Sequence, residues 1–263
     1  MKSNAPIGIF DSGVGGTSIW KEIHHLLPFE NTLYLADSKH APYGYKSKDE
    51  IITLSIKNTR FLIDHGCKII VVACNTATTN AISVLRERFD IPIIGIEPAI
   101  KPAALQTHSN SIGILATKGT LSSALFHQTS QEFANSVSLT EVVGEGLVPL
   151  IEAGLLNSTE MLQLLKKYLQ PMLDAKVDHL VLGCSHYPYI IPQLKQLLPG
   201  HIKIIDSGEA VAKRTQAILA ENNLLNNEKS TPSLLFFSNT KLDTLASLLE
   251  DFTESIVLIK KEF

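Results

Sequence analysis

Short runs of Ile, Val and Leu recur along the chain, separated by longer stretches in which apolar residues return every three to four positions. The short runs have the length of buried strands and the longer stretches have the period of amphipathic helices. Together they predict an α/β fold built on mainly parallel sheet covered on both faces. The predicted strands include 7–10, 32–36, 68–73, 93–95, 111–116, 179–183 and 203–205, several of them ending in polar loops. Ser47-Lys48-Asp49-Glu50 has the form of a capping box, so a helix opens there and runs to about His65, where Gly66 suits a left-handed C-cap.

The pattern also echoes itself. Ile7-Gly8-Ile9 returns as Ile112-Gly113-Ile114, and an apolar run ending in Cys74 returns as one ending in Cys184, at nearly equal offsets and in the same order. Two related halves, and a cleft between them, follow from that repetition. Glu97-Pro98 reads as the first crossing between lobes and Asp206-Ser207-Gly208 as the return, so residues 1–97 with 208–263 form one lobe and 98–207 the other. The polar stretch 221–231 reads as a surface loop.

Composition narrows the function. With 263 residues, 44% hydrophobic and 19% charged, the chain buries a substantial core. A formal charge of −3, with Lys and Arg scattered, offers no basic field for nucleic acid or anionic membrane and points to a small-molecule partner. The start carries no signal-peptide pattern and no apolar stretch reaches the length of a membrane span, so a cytoplasmic protein is expected. Three unevenly spaced cysteines make neither a disulfide framework nor a CxxC pair; Cys67 reads as a packing residue after a helix end.

The chemistry collects at strand ends, where open α/β sheets gather their ligand-contacting groups. Cys74 and Cys184 each follow an apolar run, and two thiols brought together there can take and return one proton across a substrate. Asn75 and Thr76 follow the first, Ser185 and His186 the second, and Thr117 and Thr120 lie at the equivalent turn after 111–116, where the alternative reading of Thr120 is a helix cap. Asp11-Ser12-Gly13-Val14-Gly15-Gly16 can close backbone amides around an anion, or form a tight turn with Asp11 as a solvated cap; it has neither the dinucleotide fingerprint nor a P-loop ending. Pro42-Tyr43-Gly44 either covers the cleft or is a surface turn, and Glu152, at a helix end, reads by itself as a solvated carboxylate. Zinc held by Cys74, Cys184 and His186 matches no closed structural spacing, and a Cys184–His186 nucleophile pair would leave Cys74 idle.

Asp-Ser-Gly-x-Gly-Gly, Pro-Tyr-Gly, Ala-Cys-Asn-Thr-Ala, Thr-x-Gly-Thr and Gly-Cys-Ser-His-Tyr-Pro, in this order, with Ile205-Asp-Ser-Gly further on, resemble the glutamate racemases of the cofactor-independent amino-acid racemase superfamily. The resemblance implies two flavodoxin-like three-layer lobes related by a pseudo-twofold axis, with the active site between them. It implies an isomerase (EC 5.1.1.3) that interconverts L- and D-glutamate without metal or organic cofactor and supplies D-glutamate for peptidoglycan. By the same resemblance Cys74 takes the α-proton of D-glutamate and Cys184 that of L-glutamate, with Asp11, His186 and Glu152 as activating partners. Asp11, Ser12, Pro42, Tyr43, Gly44, Asn75, Thr76, Thr117, Thr120, Ser185 and His186 would bind the substrate. Ser185 stands where the family pattern has threonine, which keeps the hydroxyl and drops the methyl. Histidine at 186, where related aspartate racemases tend to have glutamate, favours glutamate as substrate. A racemase of another amino acid such as aspartate, a cysteine hydrolase and a non-catalytic two-lobed binding protein are the alternatives, and the oligomeric state stays open, a homodimer included.

Overall fold

Alternating strands and helices run the length of the chain, and residues 2–133, 136–252 and 256–263 are described in a computed structural model. In chain order the strands are β1 (Ile7–Asp11), β2 (Thr32–Ala36), β3 (Ile69–Val72), β4 (Ile93–Gly95), β5 (Ser111–Ala116), β6 (Ser138–Val143), β7 (His179–Gly183), β8 (Lys203–Ile205), β9 (Leu234–Ser238) and β10 (Ile256–Lys260). Among the described residues they form a six-stranded sheet in the order β10-β9-β2-β1-β3-β4 and a four-stranded sheet in the order β6-β5-β7-β8. Every strand pairing is parallel. Strands so paired are buried on both faces, which is why β1, β2, β3, β5 and β7 read as near-continuous apolar runs with polar residues at their ends.

The internal echo has a structural meaning. The order β2-β1-β3-β4 repeats as β6-β5-β7-β8, so the two Ile-Gly-Ile segments open the corresponding central strands β1 and β5. Cys74 follows β3 and Cys184 follows β7, again corresponding positions beside the central strand. The chain ends add β9 and β10 to the edge of the larger sheet. The Ser207 hydroxyl donates to the carbonyl of Glu97, tying together two segments 110 positions apart.

The helix Lys48–Asp64 has both halves of its capping box: the Ser47 hydroxyl accepts from the Glu50 N–H, and the Glu50 carboxylate accepts from the Ser47 N–H at 2.9 Å. Gly66 adopts φ +79° as its stop. Ser47→Ala is expected to cost about 1 kcal/mol of stability, readable as a lowered urea midpoint at unchanged m-value.

Several strand boundaries differ from the sequence pattern. β1 extends through Asp11, and β3 begins after Lys68, which is fully buried and spends its ammonium on Glu30 and on the carbonyls of Ser3 and Leu224 rather than on the sheet. β6 lies outside the predicted set because, as an exposed edge strand, Ser138–Val143 mixes polar with apolar positions. β9, Leu-Leu-Phe-Phe-Ser, carries a plain apolar signal and lies buried between β10 and β2. Cys67 is packed in the core against Gly8, and burial pushes its thiol up to about 12.

Candidate active site

The carboxyl ends of the two sheets face one another, and between them is a small cavity of about 10 Å³. Its wall includes Ser12, Pro42, Tyr43, Gly44, Cys74, Asn75 and Thr76 from the side of the larger sheet and Thr117, Val148, Cys184, Ser185 and His186 from the other. The lobes close tightly around it, leaving room for about one water. Asn75 is buried, and both polar atoms of its amide have no partner among the described residues, so a donor and an acceptor stand on the wall together.

Cys74 caps the helix Asn75–Arg88, its sulfur accepting from the Ala77 N–H at 3.4 Å. Its S–H lies 3.6 Å from the Ser12 hydroxyl, to which it donates. Burial raises the Cys74 pKa and the carboxylate of Asp11 raises it further, so this group rests as a thiol.

Cys184 has a different surrounding. His186 Nδ1 lies 3.8 Å from its sulfur, and His186 Nε2 donates to Glu152 Oε1 at 2.5 Å. Burial alone would lower the imidazole pKa, but the hydrogen bonds to Cys184 and Glu152 and the charges of Asp11 and Glu152 raise it well above its ordinary value. Glu152 in turn would be raised by burial, yet His186, the Val14 N–H at 2.6 Å and the Ser38 hydroxyl at 2.8 Å hold it below the usual carboxylate range. The pair is therefore imidazolium and carboxylate. Asp11 is fully buried and its pKa is raised by desolvation, against the opposing pull of His186; it accepts from the Ser185 hydroxyl at 2.9 Å and from the Gly13 N–H at 2.9 Å.

A folded-state pKa raised in His186 stabilises the fold fully below the ordinary histidine value, and that contribution is lost as pH rises through the raised value. The depressed Glu152 contributes above the ordinary carboxylate value and loses its share as pH falls through the lowered one. The stabilising window of the pair therefore spans about pH 5 to 7 and extends into the alkaline range. The difference in melting temperature between the parent and His186→Gln is expected to be largest in that window and to shrink as pH rises further; a difference independent of pH would refute the ion pair.

The Asp-Ser-Gly-x-Gly-Gly loop does close its amides around anions, but the anions are the protein's own. Val14 N–H holds Glu152 and Gly13 N–H holds Asp11. The glycines are needed for close approach, since a Cβ on Gly13 would stand 1.9 Å from Glu152 Oε1 and one on Gly15 2.2 Å from His186 Nδ1. Neither Asp11 nor Glu152 is solvated as its sequence context suggested: Asp11 is wholly inaccessible, and the Glu152 side chain is 16% exposed.

Asp11, Glu152 and Thr120 stand behind the cavity wall rather than on it. Thr120 is fully buried and meets Thr76 at 3.3 Å and Thr117 at 3.0 Å, while Thr76 and Thr117 lie 2.8 Å apart. The helix cap expected of Thr120 belongs to Thr117, whose hydroxyl accepts from the Thr120 N–H. Tyr43 is buried over the cavity, and Gly44 packs so close to Thr117 that an added Cβ would meet its Cβ at 3.1 Å.

Sequence reasoning missed the support beneath that loop. Asp37, fully buried just after β2, accepts from the Tyr43 hydroxyl at 2.5 Å and from the Asn239 and Asn58 amides at 2.6 and 3.3 Å. Its place at a strand end, like that of Asp11, was the signal available. Val148 was missed too, and nothing in Leu147–Glu152 distinguishes it from a core residue.

A family model described as Asp/Glu/Hydantoin racemase matches residues 16–215. The chain belongs to that family, among its glutamate racemases. The racemase of Pseudomonas syringae pv. tomato is 45% identical over 237 residues, covering 90% of this chain and 86% of the relative. The crystal structure of the Escherichia coli glutamate racemase in complex with L-glutamate and the activator UDP-MurNAc-ala superposes with a TM-score of 0.84 at 36% identity, covering 97% of each chain. That of the Francisella tularensis glutamate racemase in complex with D-glutamate has a TM-score of 0.84 at 30% identity, covering 99% of this chain and 98% of that one. Membership makes this racemase an isomerase acting on a small molecule, with a role in peptidoglycan biosynthesis. No helix among the described residues is long and apolar enough to cross a membrane.

Proposed function

We propose that this racemase inverts glutamate by passing one proton between two thiols, Cys184 accepting it from L-glutamate and Cys74 accepting it from D-glutamate. The observation that carries the reading is the single cavity lined by both sulfurs, one from the end of each sheet. Cys74, held as a thiol by burial and Asp11, is the proton donor in the L-to-D direction. Cys184 faces the imidazole of His186, whose Nδ1 stands 3.8 Å from its sulfur.

Asn75, Thr76, Thr117 and Ser185 hold the ammonium and carboxylates of the substrate, with Ser12, Pro42, Tyr43 and Gly44 completing the enclosure. Charge developing at the α-carbon spreads onto the α-carboxylate, so donors already aimed there lower the barrier without reorganising. The thiols supply both acid and base, and no metal or organic cofactor enters the reaction. The lobes divide at 1–97 with 208–263 and at 98–207. The protein works in the cytoplasm on free glutamate, not on nucleic acid; the cavity is lined from within one chain, so a homodimer would leave the chemistry in each subunit.

Circular dichroism of L-glutamate, incubated with enzyme freed of metal and cofactor, is expected to decay to zero, with the α-proton exchanging in deuterated water. Exchange of aspartate but not glutamate would overturn the substrate, and stabilisation by glutamate without exchange would leave only a binding protein.

A further inference from the structure

We propose that Asn80 latches the two lobes shut over a cavity too small for glutamate, and that this latch must open for the substrate to enter. The inference deepens the reading of the cavity as the substrate site and rests on it. With room for about one water, the cavity admits an amino acid only when the lobes part.

The two sides of the cavity are held differently. On one side the contacts between lobes gather on charged groups: Glu152 accepts from the Val14 N–H at 2.6 Å and the Ser38 hydroxyl at 2.8 Å, and Asp11 accepts from the Ser185 hydroxyl at 2.9 Å. The Lys21 ammonium lies over the Tyr189 ring, 5.4 Å from its centroid. Hydrogen bonds to charged groups are about twice as strong as neutral ones, so this side is the pivot.

On the other side the contacts are neutral. Thr76, after β3, and Thr117, after β5, meet at 2.8 Å through their hydroxyls, and both line the cavity. Two groups that face the substrate are here spent on each other. Asn80, one turn after Thr76 in the helix Asn75–Arg88, reaches across to the same turn of the other lobe, its amide donating to the carbonyls of Gly119 and Thr76, each at 2.9 Å. Both partners are carbonyls, so the amide nitrogen must face them. A Cβ on Gly119 would stand 2.8 Å from Thr76 Cγ2 and 3.1 Å from Gly44 Cα, so this turn is pressed flush against the larger lobe. Asn80 itself is half-buried and off the cavity wall, and it acts on the lobes rather than on the substrate.

A latched form that excludes glutamate lowers the apparent affinity in proportion to the fraction of enzyme that is open. One net hydrogen bond is worth about fivefold in that fraction. In Asn80→Ala, KM for both L- and D-glutamate is therefore expected to fall about two- to fivefold, at a kcat within about twofold of the parent. Without glutamate the variant also opens more often, so alkylation of Cys74 and Cys184 by iodoacetamide, read by mass spectrometry of their peptides, is expected to quicken by the same factor. Core-packed Cys67 is the internal control and keeps its rate. A raised KM would make Asn80 a support for the Thr76–Thr117 pair and overturn the latch. A parent value of either KM or alkylation rate would overturn it as well, leaving Asn80 only a share of the melting temperature. Failure of the cavity as the substrate site looks different: glutamate would then protect neither thiol from alkylation in the parent enzyme.

Discussion

Cys74→Ser and Cys184→Ser are each expected to lower racemisation of glutamate by about 10²- to 10⁴-fold, the range that a positioned acid or base contributes. Serine keeps the shape and hydrogen bonding of cysteine, but its alcohol neither ionises near neutrality nor matches sulfur as a proton acceptor. Because L- and D-glutamate have equal free energies in water, each substitution must lower kcat/KM by the same factor in both directions, whichever thiol is lost. The two-thiol reading therefore predicts a large, symmetric loss from either change. A hydrolase built on Cys184, His186 and Glu152 predicts otherwise. In that enzyme Cys74, which among the described residues donates to Ser12 and has no hydrogen bond to His186 or Glu152, would be dispensable. Optical rotation of L- and D-glutamate followed at several concentrations separates the two; near-parent rates in Cys74→Ser would end the proposal.

Gly13→Ala is expected to cost about 10²-fold in kcat, the scale of a displacement near 1 Å in a catalytic group. Its Cβ would overlap Glu152 Oε1 at 1.9 Å and the carboxyl carbon at 2.5 Å, so the carboxylate must move. That movement breaks its bonds to Val14 and His186 and frees the imidazole that faces Cys184. Overpacking of this kind also costs about 1–3 kcal/mol of stability. Gly200→Ala is the control: no atom lies within 4 Å of its added Cβ, and it is expected to change neither kcat nor, beyond about 0.5 kcal/mol, stability. A Gly13→Ala enzyme with the parent's kcat would mean that the placement of Glu152 is immaterial to turnover.

Much of the site was legible because its residues lie where an apolar run stops. Cys74, Asn75 and Thr76 follow β3, and Cys184, Ser185 and His186 follow β7; in each case the strand's own burial pattern aims the next residues at the sheet's carboxyl edge. The capping box and Gly66 were equally local, each depending on residues within one helical turn. Glu152 and Asp37 were not legible in this way. A carboxylate at the end of a short helix or strand has the same local pattern whether it meets water or a buried partner. What decides is the packing of distant segments: Glu152 meets Val14, 138 positions away, and Asp37 meets Asn239, 202 positions away.

The sequence by itself determined the α/β class, the repeated half and the positions of both thiols at strand ends, because strand burial and helix capping are short-range and leave a period in the chain. Only the tertiary structure decided that the thiols share one cavity, that the glycine loop takes the protein's own carboxylates, and that one thiol rests protonated beside Asp11 while the other sits beside an imidazolium. Those are properties of two lobes pressed together: desolvation and charge act through space, and no spacing along the chain encodes which buried group will face which.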